Sequence, residues 1–213
     1  MVKKARIDQI NGLEIALIRE GICLREFLTH WDEVILFGSR AIACASTSSD
    51  WDLLCIGLAP ERYRKRFSKW LDIVVIDSGD RASWGRFLCS ELAHHTAEYG
   101  CWIKGTGEWV NKITPQLAAI DIKARRIIVR CRTLTSNWSA LRSSYRGKWR
   151  TLIRRDVQRL LLLLKDEPIP PSILLDDACK DDDALIDQAL PVLREANCGE
   201  VADQLIQFRL QTA

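Results

Sequence analysis

Two carboxylates and a Gly-Ser pair lie near one another in the sequence, at the ends of two short apolar runs. Gly38 and Ser39 follow the first run, and Asp50 and Asp52 stand at the start of the second. In a β-strand, residues two apart project on the same side, about 7 Å apart at roughly 3.3 Å per residue. Such carboxylates repel each other unless a positive group lies between them, and oxygen ligands of this kind suit Mg²⁺ or Mn²⁺. The spacing therefore predicts a divalent-metal site.

The Gly-Ser pair predicts phosphate binding beside this metal site. Gly38 ends an apolar run, so a ligand can approach its backbone amide closely. Ser39 adds a hydroxyl at the expected N-terminus of a helix, where free N–H groups favour anions. Arg40 follows directly and is a further candidate for the phosphate, although an exposed helical arginine fits equally well. Lys104 lies in a glycine-bearing loop, where a phosphate or base contact and a plain surface position are both compatible with the sequence.

A third carboxylate would complete a site for two metals. The next apolar run, "LDIVVID", carries Asp72 at its second position and Asp77 at its end. The two are five residues apart, so in a regular strand they face opposite sides, and only one of them can join the same site.

Short apolar runs and helical periodicities predict the elements that position these groups. The predicted strands cover 33–37, 51–57 and 71–77, with a fourth short strand within 101–110, and the predicted helices cover 8–30 with a break at Gly21, a polar segment starting at Pro60, and 81–99. From residue 115 onward only helical periodicity is present. The sequence therefore predicts an α+β fold, with a small mixed-sheet domain over 1–114 and an α-helical bundle over 115–213.

Composition indicates a globular chain with a substantial core. The chain has 213 residues, 47% of them hydrophobic, and its longest apolar run is far shorter than the roughly 20 residues that cross a bilayer. The N-terminus lacks the apolar core of a signal peptide, so we expect a cytoplasmic protein with no membrane partner.

The eight cysteines show no metal-site spacing and are expected to be mostly small buried hydrophobes. His94 and His95, adjacent on a helix, point in different directions and are interpreted as structural.

Charge is distributed unevenly along the chain. The net charge is +3, but residues 121–165 hold 13 Lys/Arg against 2 Asp/Glu, and residues 166–213 hold 3 against 11. So basic a segment usually faces an anionic group, whether a polyphosphate, a nucleic acid or the acidic tail of the chain itself.

The motif "GSRAIACASTSSDWDLL" followed by "LDIVVI" resembles the signature of the DNA polymerase β-like nucleotidyltransferase superfamily. Its nearest likeness is to the small bacterial group of minimal and kanamycin-type nucleotidyltransferases. The resemblance covers about residues 33–77, and the separation of 20 positions from Asp52 to Asp72 is short for that family. It implies that Gly38 and Ser39 hold the triphosphate, that Asp50 and Asp52 bind Mg²⁺ or Mn²⁺, and that Asp72 rather than Asp77 is the third acid.

The resemblance implies an enzyme that moves a nucleoside monophosphate from a nucleoside triphosphate to an acceptor hydroxyl. The acceptor could be RNA, a protein or a small molecule, and the basic segment favours an anionic one such as RNA. A second hypothesis is a non-catalytic antitoxin or RNA-binding scaffold that keeps the fold without turnover. The basic helix around Tyr145 and Trp149 would serve such a scaffold, or else present a solvated basic face.

Overall fold

The computed structural model describes residues 2–58, 63, 68–114 and 117–212. In chain order its elements are α1 (Ile7–Arg19), α2 (Leu24–Thr29), β1 (Glu33–Phe37), α3 (Gly38–Ala41), β2 (Trp51–Gly57), β3 (Leu71–Asp77), α4 (Arg81–Leu88), α5 (Glu91–Tyr99), β4 (Cys101–Lys104), α6 (Leu117–Ser136), α7 (Ser143–Leu164), α8 (Ser172–Ala178), α9 (Asp182–Glu195) and α10 (Gly199–Thr212). Single turns of 3₁₀-helix cover Glu108–Lys112 and Trp138–Ala140.

The four strands form one mixed sheet in the order β3-β2-β1-β4. Strand β1 pairs antiparallel with β2 and with β4, and β2 pairs parallel with β3. The central strands β1 and β2 are buried along most of their length, which is why their sequences read as continuous apolar runs. The predicted α+β class with a mixed sheet is confirmed, and the bounds of the first three strands match the prediction.

Helices cover both faces of this sheet. Helices α1 and α2 share one apolar cluster with the sheet, through residues that include Leu17, Phe27, Leu36 and Leu53. Helices α4 and α5 share the other, which includes Ile35, Leu54, Phe87 and Ala93. Because side chains alternate along a strand, the even-numbered residues of β2 face α4 and α5, and the odd-numbered ones face α1 and α2.

The first predicted helix is divided in two, as Gly21 indicated. Gly21 has a φ of +69°, which ends α1 before α2 begins. Helix α1 is not buried on all sides, because Ile15 and Ile18 are 55% and 62% exposed. Only the face of α1 that carries Leu13 and Leu17, both fully buried, packs against the sheet.

The predicted helix over 81–99 is also divided. Helix α4 ends at Leu88, and the Ser90 hydroxyl accepts a hydrogen bond from the Ala93 backbone N–H, so Ser90 caps a new helix, α5. Gly100 follows the end of α5, as predicted. The polar helix predicted from Pro60 lies outside the described residues.

The chain divides into two units, residues 1–115 and 116–213. In the second unit the long helices α6, α7, α9 and α10 share one apolar core, with Ile127, Val157, Leu185 and Leu205 among its members. No strand occurs within 117–212. Helix α8 was not predicted, because its seven residues are too few to show a clear period.

The second unit also holds a buried ion pair, which joins α6 to α7. The Lys123 ammonium lies 3.0 Å from an Asp156 carboxylate oxygen, and both side chains are 2% exposed. The guanidinium of Arg130 donates to the other oxygen of Asp156.

Cysteine burial differs from the expectation. All eight cysteines lie in the described part of the chain and all are free thiols, but only Cys55, Cys101 and Cys131 are buried. Among the helices formed by described residues, none combines the length and the apolar composition needed to cross a membrane.

Candidate functional site

Asp52 and Asp72 lie opposite each other on neighbouring strands. In the parallel pairing of β2 with β3, Asp52 is the register partner of Asp72, and neighbouring strands lie about 4.8 Å apart. Two residues further along, Leu54 and Val74 pack in the cluster shared with α4 and α5. Side-chain alternation therefore puts both carboxylates on that same face of the sheet. The structure brings these two predicted acids together.

Gly38 lies against the carboxylate of Asp52. Phe37, the last residue of β1, is the register partner of Asp52, and Gly38 follows it with a φ of +70°. A Cβ on Gly38 would stand 2.2 Å from Oδ2 of Asp52. Residue 38 must therefore be glycine for two reasons. Its positive φ disfavours residues with a Cβ, and a side chain would have no room beside Asp52. Ser39 follows in α3, which is a single turn of helix, and is half-buried.

The pKa values of the acids show that they share one neighbourhood. Burial raises the pKa of Asp52 to about 7, and the charges of Asp50 and Asp72 add to this rise, while Arg40 opposes it. Burial, and then the charge of Asp50, raises the pKa of Asp72. Concentrated negative charge with little opposing positive charge is the condition under which a bound cation stabilises a site.

Asp72 offers an oxygen that has no protein partner. Its Oδ1 atom is buried, and no group in the described part of the chain hydrogen-bonds to it. A buried acceptor of this kind is costly unless something else satisfies it. A hard cation fits this position, because carboxylate oxygens are the donors that Mg²⁺ and Mn²⁺ prefer.

Asp50 occupies a different position from the strand position expected of it. Strand β2 begins at Trp51, so Asp50 lies just before the strand and is exposed. Over residues 2–58, 63, 68–114 and 117–212, no group of three His, Cys, Asp or Glu side chains converges closely enough to hold a metal. The fixed part of the site is therefore the pair Asp52 and Asp72, and Asp50 stands beside it without completing a three-carboxylate set.

Arg40 contacts the segment that leads into β2. Its guanidinium donates to the backbone carbonyls of Ser49 and Asp50 and lies over the ring of Trp51. Burial lowers the pKa of Arg40, and the charges of Asp50 and Asp52 oppose that effect. Arg40 is therefore next to the acids, but two of its donors are occupied by backbone oxygens.

Lys104 and Asp77 are not brought to the acidic pair. Lys104 pairs with Val34 near the start of β1, and its ammonium donates to the carbonyls of Leu28, at 2.9 Å, and Trp31. Asp77 is the register partner of Gly57, at the opposite end of β3 from Asp72. The structure thus separates Asp77 from the site along the strand.

Sequence reasoning missed a row of aromatic rings beside the site. His95, which is buried, lies 6.1 Å from the ring of Phe37 and 5.6 Å from that of Tyr99, between centroids. Since Phe37 is opposite Asp52, this row lines the same face as the acids. The spacing of His95 and Tyr99, four residues apart on one helix, was the available signal.

Much of the basic segment pairs with the acidic tail. Arg150 and Arg154 both contact Asp182, at 2.7 and 3.2 Å. Arg155 pairs with Asp176, and Arg132 lies 2.8 Å from Glu200. Four arginines of the segment therefore have their anionic partner in the tail of the chain itself. The charge argument for an RNA acceptor or an RNA-binding scaffold is weakened accordingly.

Comparison with known proteins gives no match, either to a protein-family model or to a curated protein. The interpretation of the site depends on its geometry and on the motif.

Proposed function

We propose that the first unit is a metal-dependent nucleotidyltransferase, which moves a nucleoside monophosphate from a nucleoside triphosphate to an acceptor hydroxyl. The observation that carries this proposal is the pairing of Asp52 with Asp72 across β2 and β3, with Gly38 packed against Asp52. The motif similarity to the DNA polymerase β-like superfamily supports it, because the Gly-Ser, the Asp-x-Asp and the later Asp occur in the same order.

In this proposal Asp52 and Asp72 would hold Mg²⁺ or Mn²⁺, and Asp50 would be a further ligand beside them. The bound metal would offset negative charge on the α-phosphate and make the acceptor hydroxyl more acidic. Gly38 and Ser39 lie at the adjoining end of β1, next to Asp52, and would be the groups nearest to the phosphates.

The reaction itself is an in-line displacement. The acceptor oxygen forms a bond to the α-phosphorus, the bond from that phosphorus to the leaving oxygen breaks, and pyrophosphate departs. Oδ1 of Asp72, which has no hydrogen-bond partner within the described residues, is the oxygen that fits the cation, so Asp72 accepts the hydroxyl proton on its other carboxylate oxygen.

The acceptor is specified only as a hydroxyl, of RNA, a protein or a small molecule. Arg150, Arg154 and Arg155 pair with acidic residues of their own unit, so segment charge no longer favours RNA over the other two.

Label transfer tests this proposal. The full chain is incubated with each α-labelled nucleoside triphosphate, with Mg²⁺ or Mn²⁺, and with a lysate that contains native RNA and protein. We expect label in one of the RNA, protein or small-molecule fractions, and a loss of at least about 100-fold in Asp52→Asn. Asp77→Asn is the matched control, because it removes the same charge from the other end of β3 and should retain transfer. Equal labelling by the parent and by Asp52→Asn would refute the proposal.

A further inference from the structure

The guanidinium of Arg40 holds two successive backbone carbonyls. Its Nε donates to the Asp50 oxygen at 2.9 Å, and its Nη2 donates to the Ser49 oxygen. The guanidinium carbon lies 4.4 Å from the centre of the Trp51 ring. One planar side chain therefore contacts three consecutive residues, which are those that lead into the Asp-x-Asp strand.

Arg40 is itself held in place from α1. The buried side chain of Gln9 donates through Nε2 to the Arg40 carbonyl at 2.8 Å, and accepts through Oε1 from the Arg6 backbone N–H at 2.9 Å. Trp51 also meets α1, because a Cβ on Gly12 would lie 2.7 Å from its ring. These contacts fix both ends of the Arg40 bridge to the body of the unit.

The backbone of Asp50 depends on the Arg40 contact more than the backbone of Asp52 does. Asp52 lies within β2 and is fixed by strand pairing on both sides, whereas Asp50 precedes the strand and is exposed. The Arg40 fork holds the Asp50 carbonyl, while the N–H of the same peptide group, that of Trp51, donates to the Trp70 carbonyl at 2.9 Å.

We propose that Arg40 is a positioning residue that fixes the backbone of Ser49 and Asp50, so that the Asp50 carboxylate stays beside Asp52 and Asp72 to bind a divalent cation. This inference rests on the proposed acid site and changes the role of Arg40 from the phosphate ligand that the sequence predicts. Lysine cannot replace it, because a single ammonium does not span two carbonyls as the planar fork does.

A positioning role and a purely electrostatic role of Arg40 predict opposite changes in cation binding when Arg40 is replaced. If Arg40 acted only through its positive charge, it would repel a cation, and its removal would strengthen cation binding by the acids. If it positions Asp50, its removal weakens cation binding. The variants Arg40→Lys and Arg40→Gln separate the two effects, because the first keeps the charge and loses the fork.

Terbium luminescence measures this binding without any catalytic step. Tb³⁺ is a hard cation that carboxylates bind, and Trp51, placed between Asp50 and Asp52, can sensitise its emission. The signal assigned to the site is the part that Asp52→Asn abolishes. We expect Arg40→Lys and Arg40→Gln each to bind Tb³⁺ at least about tenfold more weakly than the parent, the range typical of residues that support metal ligands. Arg25→Gln, an exposed substitution in α2, is the control for loss of one positive charge.

A rescue experiment keeps the test valid if a variant is destabilised. Arg40, Arg6 and Trp51 line a cavity of about 270 Å³, which gives a small ion access to the space left in Arg40→Ala. We expect millimolar guanidinium to restore part of the Tb³⁺ affinity of this variant, and ammonium at the same concentration to restore none.

Several results would overturn the inference. Parent-like affinity in Arg40→Lys together with tighter binding in Arg40→Gln would show a charge effect, and parent-like affinity in both would show no role for Arg40. No Tb³⁺ signal that depends on Asp52 would overturn the acid site and this inference with it. By contrast, weakened Tb³⁺ binding in the Arg40 variants, combined with no nucleotidyl transfer by the parent, would uphold the positioning role and refute only the proposed reaction.

Discussion

The backbone of Gly38 lies in direct contact with the carboxylate of Asp52. A Cβ at residue 38 would stand 2.2 Å from Oδ2, which is closer than any real contact allows. The turn after β1 and the acid on β2 therefore share one small volume, so a side chain added at residue 38 would displace the Asp52 carboxylate. This relationship makes the predictions for the two residues interdependent.

Gly38→Ala should damage both the fold and the site. The methyl group meets the Asp52 carboxylate, and the φ of +70° disfavours any residue with a Cβ. We expect a loss of about 1–3 kcal/mol in the free energy of unfolding, measured by urea titration of tryptophan fluorescence. The control is Gly85→Ala in α4, where a Cβ meets nothing within 4 Å. It should be neutral or stabilising by up to about 1 kcal/mol, and an equal loss in both variants would contradict this account.

Asp52 should make the stability of the first unit fall as pH rises. Its pKa is raised to about 7 in the folded chain from an ordinary value of 3.8, so between these values the folded state binds more protons than the unfolded state. The contribution of Asp52 to stability therefore declines from about pH 4 to about pH 7. Above pH 7 the ionised side chain destabilises the folded state by its full amount. In the absence of divalent metal, Asp52→Asn should be more stable than the parent at pH 8 by about 1–2 kcal/mol, a figure reduced for solvent screening.

Unfolding titrations at a series of pH values check this prediction. The difference in stability between Asp52→Asn and the parent should be small near pH 4, grow toward pH 7 and then level off. A difference that is constant from pH 4 to pH 8 would show that the Asp52 charge is not responsible.

Nucleotide with Mg²⁺ should stabilise the parent chain and not the double variant Asp50→Asn, Asp52→Asn. A ligand that binds only the folded state adds about 2.7 kcal/mol at 100 times its Kd, which raises the melting temperature. Asparagine keeps the shape of each side chain but removes the charge that holds the metal. Differential scanning fluorimetry with and without Mg²⁺ provides the measurement. The same temperature shift in both proteins would place nucleotide binding away from this pair.

Asp156→Asn should destabilise the helical unit strongly. Asp156 is 1% exposed and is the carboxylate partner of both Lys123 and Arg130, so the change weakens two ion pairs, one of them fully buried. The expected cost is about 3–5 kcal/mol, measured by urea unfolding followed by far-UV circular dichroism. The matched control is Asp121→Asn, which breaks an exposed pair with Arg125 and should cost less than about 1 kcal/mol. If Asp156→Asn and Asp121→Asn cost similar amounts of stability, burial would not determine the energy of these ion pairs.

Glu33→Gln should loosen the loop after β4. The buried Glu33 carboxylate accepts hydrogen bonds from the indole N–H groups of Trp102 and Trp109 and from the Gly107 backbone N–H. An amide presents a donor to at least one of these donors, at an expected cost of about 1–3 kcal/mol. Near-UV circular dichroism should change, because the side chain at residue 33 contacts both indoles. Glu14→Gln, an exposed change on α1, should leave both stability and spectrum unaltered.

The sequence was sufficient where the governing interactions are local. The strands at 33–37, 51–57 and 71–77 were predictable because each is a short apolar run bounded by turn residues. The break at Gly21 was predictable for the same reason, because glycine adopts a positive φ at little cost whatever its tertiary surroundings. The division of the predicted helix at Ser90 could also have been predicted from the sequence, because serine before an acidic first turn is an N-cap signal.

Only the tertiary structure decided which distant residues meet. The sequence offered Asp72 and Asp77 as the third acid, and the parallel register of β2 with β3 sets Asp72 beside Asp52 and Asp77 beside Gly57. A glycine-bearing loop made Lys104 a phosphate candidate, but its strand carries it to the carbonyls of Leu28 and Trp31.

The basic segment shows the same division between local and long-range information. Its charge was visible in the sequence, but its pairing with the acidic tail was not, because Arg150 and Asp182 become neighbours only when α7 packs against α9. The sequence by itself therefore determined the α+β class, the strands and the acid motif. The folded chain determined the strand register, the burial of the acids and the partners of each charge. These depend on contacts between residues far apart in sequence, and no local pattern specifies them.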